Sequence, residues 1–409
     1  MSFILRIIIV LFLTLLLQIY LYKKFKNSVK SLFVNSDQKF KKFLLFSIFY
    51  LNLYLVILLC YWIYIQITGQ SFRLIIENKI WDFLILYPFW IYIIWVLQLS
   101  FLLLPLDLIK MLFFIFLPKE KQKILRVNYI ISLILISFFM IYVPSRVIYD
   151  FKSVDVRSVE YKKQNLPDVL NEFKIILIGD IQADWYNNNA RLSNFINKVN
   201  STKPDLILIA GDLITGTPDY IPMSAYHLSR LKSTYGVFSC VGDHDNWAYR
   251  KDNERSRKEI AETLKKYEIA FLDNEIRKLN IGSAEVGISF VTESYSKRID
   301  GNVLDSLNGS IKTADLKIVL THQPTDKIIR SSIKNEMDMM LAGHTHGGQI
   351  TFLFPFINIT PTLLETKYVK GDFYFNDLLL IVTRGLGMSL APIRYNSSPE
   401  IVIVTVKKK

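Results

Sequence analysis

Two cysteines in 409 residues are too few for a disulfide framework or a cysteine-ligated zinc module. Cys60 lies in an apolar run and Cys240 in a candidate core strand, so they indicate neither a pairing nor a redox compartment. Charge is scarce as well. Charged residues make up 21% of the chain against 51% hydrophobic, which excludes an intrinsically disordered protein. No internal repeat and no low-complexity tract is present. Only five histidines occur, and their positions turn out to be informative.

The net charge of +13 is unevenly distributed. Residues 1–150 hold 16 Lys/Arg and 6 Asp/Glu, while residues 151–409 hold 33 and 30. The basic excess therefore sits in the more apolar part, where cationic loops orient membrane segments. The second part is nearly balanced, so no nucleic-acid partner is expected.

Four long apolar runs lie at residues 3–22, 43–67, 83–106 and 127–145, and the last three contain no charged residue. A helix needs about 20 apolar residues to cross a bilayer, and backbone groups in lipid must be satisfied within the segment. These runs predict about four transmembrane helices, with the first an anchor rather than a cleaved leader because no small-residue cleavage site follows it. Loops 23–42 and 107–126 carry seven and five Lys/Arg, against two in loop 68–81. This bias places the first and third loops in the cytoplasm and everything after residue 148 outside. Residues 108–117 are apolar but short and carry Lys110, which reads as an interfacial helix.

From about residue 151 the texture changes. Short apolar runs at 173–178, 206–210, 237–241, 317–320 and 337–342 alternate with helical patterns at 189–200, 224–234 and 254–266. Alternating strands and helices predict an α/β domain. Val154, Val156 and Tyr161 suggest a strand leading out of the membrane. The expected division is a membrane domain at 1–150, a linker or leading strand at 151–172, and an α/β domain at 173–409.

Each of the five buried strands runs into Asp or His: Gly179-Asp180, Gly211-Asp212, Gly242-Asp243-His244-Asp245, Thr321-His322 and Gly343-His344-Thr345-His346. Strand ends converge on one edge of an α/β sheet. Aspartate oxygens with imidazole nitrogens suit borderline divalent metals. Four of the five histidines fall at these ends. The fifth, His227, lies on a helical stretch and is expected at the surface.

In this order the residues resemble the calcineurin-like metallophosphoesterase superfamily, whose motifs run D-x-H, G-D, G-N-H-D/E, H and G-H-x-H. The resemblance covers about 173–406. Thr383-Arg384-Gly385-Leu386-Gly387, Pro392-Ile393-Arg394-Tyr395-Asn396 and Pro399-Glu400-Ile401 are similar to its bacterial membrane-associated branch. The resemblance implies a double β-sandwich flanked by helices, two divalent metal ions (Mn, Fe or Zn) and a metal-dependent phosphoric ester hydrolase. It implies that Asp212 bridges the metals, that Asp180, Gln182 and His346 hold the first, and that Asp243, His322 and His344 hold the second. His244 would stabilise or protonate the leaving oxygen, with Asp245 orienting it.

Two positions depart from the pattern. Gln182 stands where the family has histidine, and Asp243 where it has asparagine. The first change weakens a ligand and the second adds a negative charge, which together describe a variant active site. Arg384 and Arg394 are candidate phosphate contacts because guanidinium forks match phosphate oxygens. Gln349, Trp185 and Tyr186 are candidates for the surroundings of the site. The expected partners are the lipid bilayer and a phosphorylated small molecule or lipid. The expected location is the bacterial cell membrane, with the catalytic domain extracytoplasmic. Two rivals are a non-catalytic metal- or phosphate-binding sensor and a transporter with a regulatory domain. The near absence of ionisable residues from the apolar runs opposes the transporter.

Overall fold

The computed structural model describes residues 3–32, 38–68, 76–249 and 252–409. The chain forms two compact units, one of residues 1–149 with Phe352–Ile359 and one of Asp150–Thr351 with Thr360–Lys409.

The first unit is helical apart from a short hairpin. Among the described residues, two helical stretches are long and apolar enough to cross a bilayer, Lys79–Phe116 and Pro118–Lys152. A third crossing exists if the bent pair Leu44–Leu51 and Leu53–Ile65 is one span. The first expected run, residues 3–22, lies in helix Phe3–Leu32. The run 43–67 breaks at Asn52 with a bend of 41°. Asn52 exchanges two amide hydrogen bonds with Gln18, at 3.0 and 2.9 Å, and donates a third to the Ile48 carbonyl. A side-chain amide bonding its own helix in this way competes with the backbone ladder. Residues 108–117 do not form a separate interfacial helix; they continue Tyr87–Phe116. Asp107 pairs with Lys110 at 2.8 Å, so the lone lysine does not force a break. The apolar helix also carries the fully buried Gln98, whose amide bonds both backbone groups of Leu353 at 2.8 Å.

The second unit contains two six-stranded sheets. One holds β1 (Asp155–Lys163), β2 (Phe173–Ile178), β3 (Leu206–Ile209), β4 (Val237–Cys240), β5 (Ala270–Leu272) and β14 (Glu400–Lys408), in the order β1-β14-β2-β3-β4-β5. The other holds β6 (Glu275–Ile281), β7 (Ala284–Val291), β8 (Leu316–Thr321), β9 (Met339–Ala342), β12 (Gly371–Phe375) and β13 (Leu378–Val382), in the order β12-β13-β9-β8-β7-β6. The hairpin of the first unit supplies β10 (Phe352–Phe354) and β11 (Ile357–Ile359).

Strand periodicity explains the layering. Successive side chains point to opposite faces. Ile175 and Leu177 enter a core shared with Ile318, Leu320, Leu341 and Ile381 of the other sheet. Ile176 and Ile178 point the other way, into a core with Leu192, Phe195, Ile196 and Ile260 from helices. The second sheet repeats the pattern, with Val319 and Met340 facing Leu304 and Ile328. Both faces of each central strand are dry, which is why these strands read as unbroken apolar runs. The result is helices, sheet, sheet and helices.

The expected helix 224–234 is shorter and earlier, at Ile221–Leu228. His227 on it is buried rather than exposed, with Nε2 2.9 Å from Asn189 Oδ1 of the neighbouring helix.

Candidate metal centre

The parallel core strands β2, β3, β4, β8 and β9 run in one sense within their sheets, so their carboxyl ends carry the chemistry to a common edge. The backbone there is unusual. Asp180, Gln182, Asp212, His344 and His346 all take positive φ, between 44 and 71°. Non-glycine residues in this region are uncommon, and such strain concentrates at functional sites. The adjoining glycines allow the close approach. A Cβ on Gly242 would lie 2.2 Å from Asp212 Oδ1, and one on Gly343 would lie 2.8 Å from Asp180 Oδ2.

All seven expected ligands converge. His322 Nε2 lies 3.3 Å from Asp243 Oδ2, His344 Nδ1 lies 2.9 Å from the same oxygen, and the two ring nitrogens are 3.3 Å apart. On the other side, Gln182 Nε2 is 3.2 Å from Asp212 Oδ2 and 3.3 Å from His346 Nε2, which is 3.7 Å from Asp180 Oδ1. Asp212 Oδ2 also lies 3.3 Å from His322 Nε2, so this one oxygen belongs to both clusters. Ligand bonds of about 2.0–2.2 Å imply neighbouring donors about 3 Å apart around one ion. The observed spacings fit that requirement twice.

The surroundings fix which atom each ligand offers. His322 Nδ1 is 2.7 Å from the Ala210 carbonyl, leaving Nε2 for a metal. His344 Nε2 is 2.9 Å from Glu365 Oε1, leaving Nδ1. Tyr295 donates its hydroxyl to the same Glu365 oxygen. Carboxylate partners of this kind orient metal-bound imidazoles. Gln182 has the chemistry of a further donor. Its Oε1 is buried without a partner, while its amide nitrogen faces Asp212. A half-turn of the amide places the oxygen among the donors, since the two ends of an amide are assigned from their neighbours.

Electrostatics describe donors crowded without a counter-charge. Burial acts to raise the Asp212 carboxyl, but the charges of His322 and His244 outweigh it and hold the group well below its ordinary range. Asp243 is likewise held low by His322 and His344 against its burial. Burial pulls His344 down, yet hydrogen bonds to Asp243 and Glu365 push it up to about 9. Burial and then the charge of Arg394 hold His346 well below its usual value. Burial and the Asp212 charge push Asp180 up to about 6, against the pull of His322.

Three expected roles change. Asp245 does not contact the His244 ring. It accepts backbone N–H bonds from Asp212 at 2.9 Å, Leu213 at 2.8 Å and Gly242 at 2.8 Å, because it is buried beside three donors that no strand pairs. The His244 ring is oriented instead by the Thr215 carbonyl at Nδ1. Arg394 is fully buried and donates to carbonyls of Gly387, His346, Ser397 and Arg384. Arg384 pairs with Glu400 and Asp155, both at 2.9 Å. Both arginines therefore hold the loop around His346 rather than presenting a phosphate clamp. Gln349 does surround the site: its Nε2 donates to the carbonyls of Ser389, Ala391 and Ile393. Trp185 and Tyr186 are half-buried beside Asp184.

Sequence reasoning missed Gln323, Tyr295, Thr215 and Glu365. Gln323 donates to Asp243 Oδ2 at 2.7 Å and its place next to His322 was a signal. Glu365 lies in an irregular loop with no motif, and only the fold brings it to His344.

Residues 173–348 match the family described as calcineurin-like phosphoesterase. An uncharacterized metallophosphoesterase, Cj0846 of Campylobacter jejuni, is 29% identical over 315 residues, covering 76% of this chain and 79% of that protein. Phosphodiesterase YaeI of Escherichia coli is 28% identical over 235 residues, 57% of this chain and 81% of its own length. A Danio rerio protein named transmembrane protein with metallophosphoesterase domain is 27% identical over 262 residues, 62% of this chain and 57% of that protein.

Metal uptake must displace protons from ligands that are protonated when empty. Against its burial, hydrogen bonds to Asp243 and Glu365 push His344 up to about 9, so apparent affinity is expected to rise from about pH 7 toward 9 with protons released. Calorimetry in buffers of different ionisation enthalpy measures both. Separately, Glu365→Gln is expected to weaken metal binding by about 10–100-fold, read by competition with a chromophoric chelator.

Proposed function

We propose that this chain, a member of the calcineurin-like phosphoesterase family through residues 173–348, is a membrane-anchored hydrolase of phosphoric esters. The observation that carries the reading is the pair of donor clusters sharing Asp212 Oδ2, with His244 beside them. Hydrolysis forms one P–O bond to a water oxygen, breaks the ester P–O bond and leaves a proton on the departing oxygen. Two bound divalent ions supply charge for the phosphate and lower the pKa of water. The mixed aspartate, imidazole and amide donors suit Mn, Fe or Zn.

The chain supplies the rest. With Nδ1 directed to the Thr215 carbonyl, His244 presents Nε2, which lies 3.3 Å from Ser389 Oγ, as the atom that protonates the leaving oxygen. Its backbone N–H bonds Asp212 Oδ1 at 2.8 Å, so the proton donor and the shared ligand move as one piece. Asp245 locks the loops that carry both. Trp247 packs edge-on to the His244 ring, with centroids 4.7 Å apart, which limits its rotation.

The name of the similar YaeI favours a phosphodiester. Attachment to membrane helices favours a lipid-linked phosphate over a freely soluble one. The other reading, a metal-binding sensor without turnover, rests on Gln182 in place of the family histidine. Hydrolysis of a chromogenic phosphodiester by the metal-stripped chain, then with Mn, Fe or Zn restored, separates the two. Turnover should return with metal and fall about 10²–10⁴-fold in His244→Ala. Metal-restored binding with no turnover on any ester supports the sensor.

We also place the catalytic unit outside the cell. Lys119, Lys121, Lys123 and Arg126 lie where the two long membrane helices meet, and such clusters stay cytoplasmic. In intact cells an impermeant thiol reagent should label Glu262→Cys, on the exposed side of helix Asn253–Lys265. Labelling only after lysis would invert the assignment.

A further inference from the structure

Each flank of the metal centre carries exposed leucine. On the His344 side, Leu363 and Leu364 immediately precede Glu365, the carboxylate bonded to His344. Leu364 is 95% exposed and Leu363 half so. On the His244 side, Leu390 follows Ser389, whose hydroxyl lies beside His244 Nε2, and Leu390 is 100% exposed. Scattered surface leucines need no explanation. These need one, because each is a residue or two from a group touching a site histidine.

Leu390 is also held in place. It takes φ of 62°, a conformation costly for a leucine. Gln349 fixes the loop on both sides of it, accepting from Ser389 N at 2.7 Å and donating to the Ser389 and Ala391 carbonyls at 2.8 Å. The backbone is thus braced to hold out an apolar side chain with nothing packed on it.

Chain connectivity identifies the apolar phase within reach. The membrane helix ends at Lys152 and β1 begins at Asp155, so the catalytic unit has almost no tether. The loop bearing Leu363 and Leu364 begins at Thr360, directly after the hairpin Phe352–Ile359 that belongs to the membrane unit. A cleft of about 370 Å³ beside His344 is lined by Leu363, the cations Arg298 and Lys367 and the acids Asp326 and Glu365, with Arg298 paired to Glu293 at 2.9 Å. An apolar rim beside a polar cleft is the pattern of a surface whose leucines dip into the headgroup region while polar groups stay at its boundary.

We propose that Leu363, Leu364 and Leu390 form a rim that seats the metal centre on the bilayer surface, so that its substrate is a lipid phosphoester whose phosphate reaches the metals while its apolar tail stays in the membrane. The chemistry rests on the hydrolase reading above; the docking does not. Lys367 borders the cleft on the headgroup side, and the leucines set the depth.

The test uses the full chain in vesicles of phosphatidylethanolamine and phosphatidylglycerol. Leu364→Cys and Leu390→Cys, in a Cys60→Ser background, are labelled with an environment-sensitive fluorophore, with Glu262→Cys as the reference. The rim positions should shift to the blue and be quenched by spin-labelled lipid, and the reference should do neither. No shift at the rim overturns the proposal. So does a shift without lipid quenching, which marks a protein partner or a second copy.

Catalysis is read separately. Leu364→Ser combined with Leu390→Ser should keep turnover of a soluble diester within about twofold and lose at least about tenfold in kcat/KM on a vesicle-embedded phospholipid. Equal losses on both substrates overturn the substrate assignment. Lipid quenching without turnover of any ester would leave the docking standing and remove the hydrolase reading.

Discussion

Asp245 is buried and carries no metal, yet the site depends on it. Its two oxygens take three backbone N–H groups from two different strand ends. Those donors lie past the end of the ladder and would otherwise be buried without partners, at a cost of about 1–3 kcal/mol each. One carboxylate thereby joins the end of β3 to the end of β4. Asp212 then projects between the two donor clusters, and His244 is drawn against it through its own N–H. The carboxyl is pushed up to about 7 by its burial and by the Asp212 charge, against the pull of its donors. Cations at the shared oxygen would relieve that repulsion, so occupancy of the centre and integrity of its frame are coupled.

The same tension appears in the backbone. Five donor residues occupy left-handed φ, a local expense of about 1–3 kcal/mol each that surrounding structure must over-determine. The two sheets do this. Their shared core is dry, and the helices on the outer faces close the remaining apolar surface. Arg394 completes the frame from the other side. Its guanidinium is spent on carbonyls of the loops around His346, and its charge adds to burial in holding that imidazole well below its usual value.

The membrane unit solves the opposite problem. Two of its helical stretches are apolar enough to cross a bilayer, and several of its polar side chains pair internally. Gln18 and Asn52 satisfy each other, Lys24 pairs with Asp107 and Asn128, and Gln98 satisfies both polar groups of Leu353. The last pairing ties the hairpin to an apolar helix. That hairpin begins only six residues after His346, so the ligand loop is joined covalently to the membrane unit.

The sequence by itself determined the division into an apolar and a balanced part, the five core strands and the seven donors. These features are local: a strand buried on both faces must be a short apolar run, and a ligand at its end must follow at once. Glycine before aspartate or histidine marks the place where only a tight backbone fits. The tertiary structure decided what depends on distant residues meeting. It moved Asp245 from the His244 ring to backbone amides and gave that ring to Thr215. It spent Arg384 and Arg394 on the scaffold, buried His227, and brought Glu365 to His344 from 21 residues away, beyond the β10–β11 hairpin. It bent the second apolar run at Asn52 and merged residues 108–117 into one long helix. A single residue type does not reveal its partner when the partner is chosen by packing, and in each of these cases packing chose it.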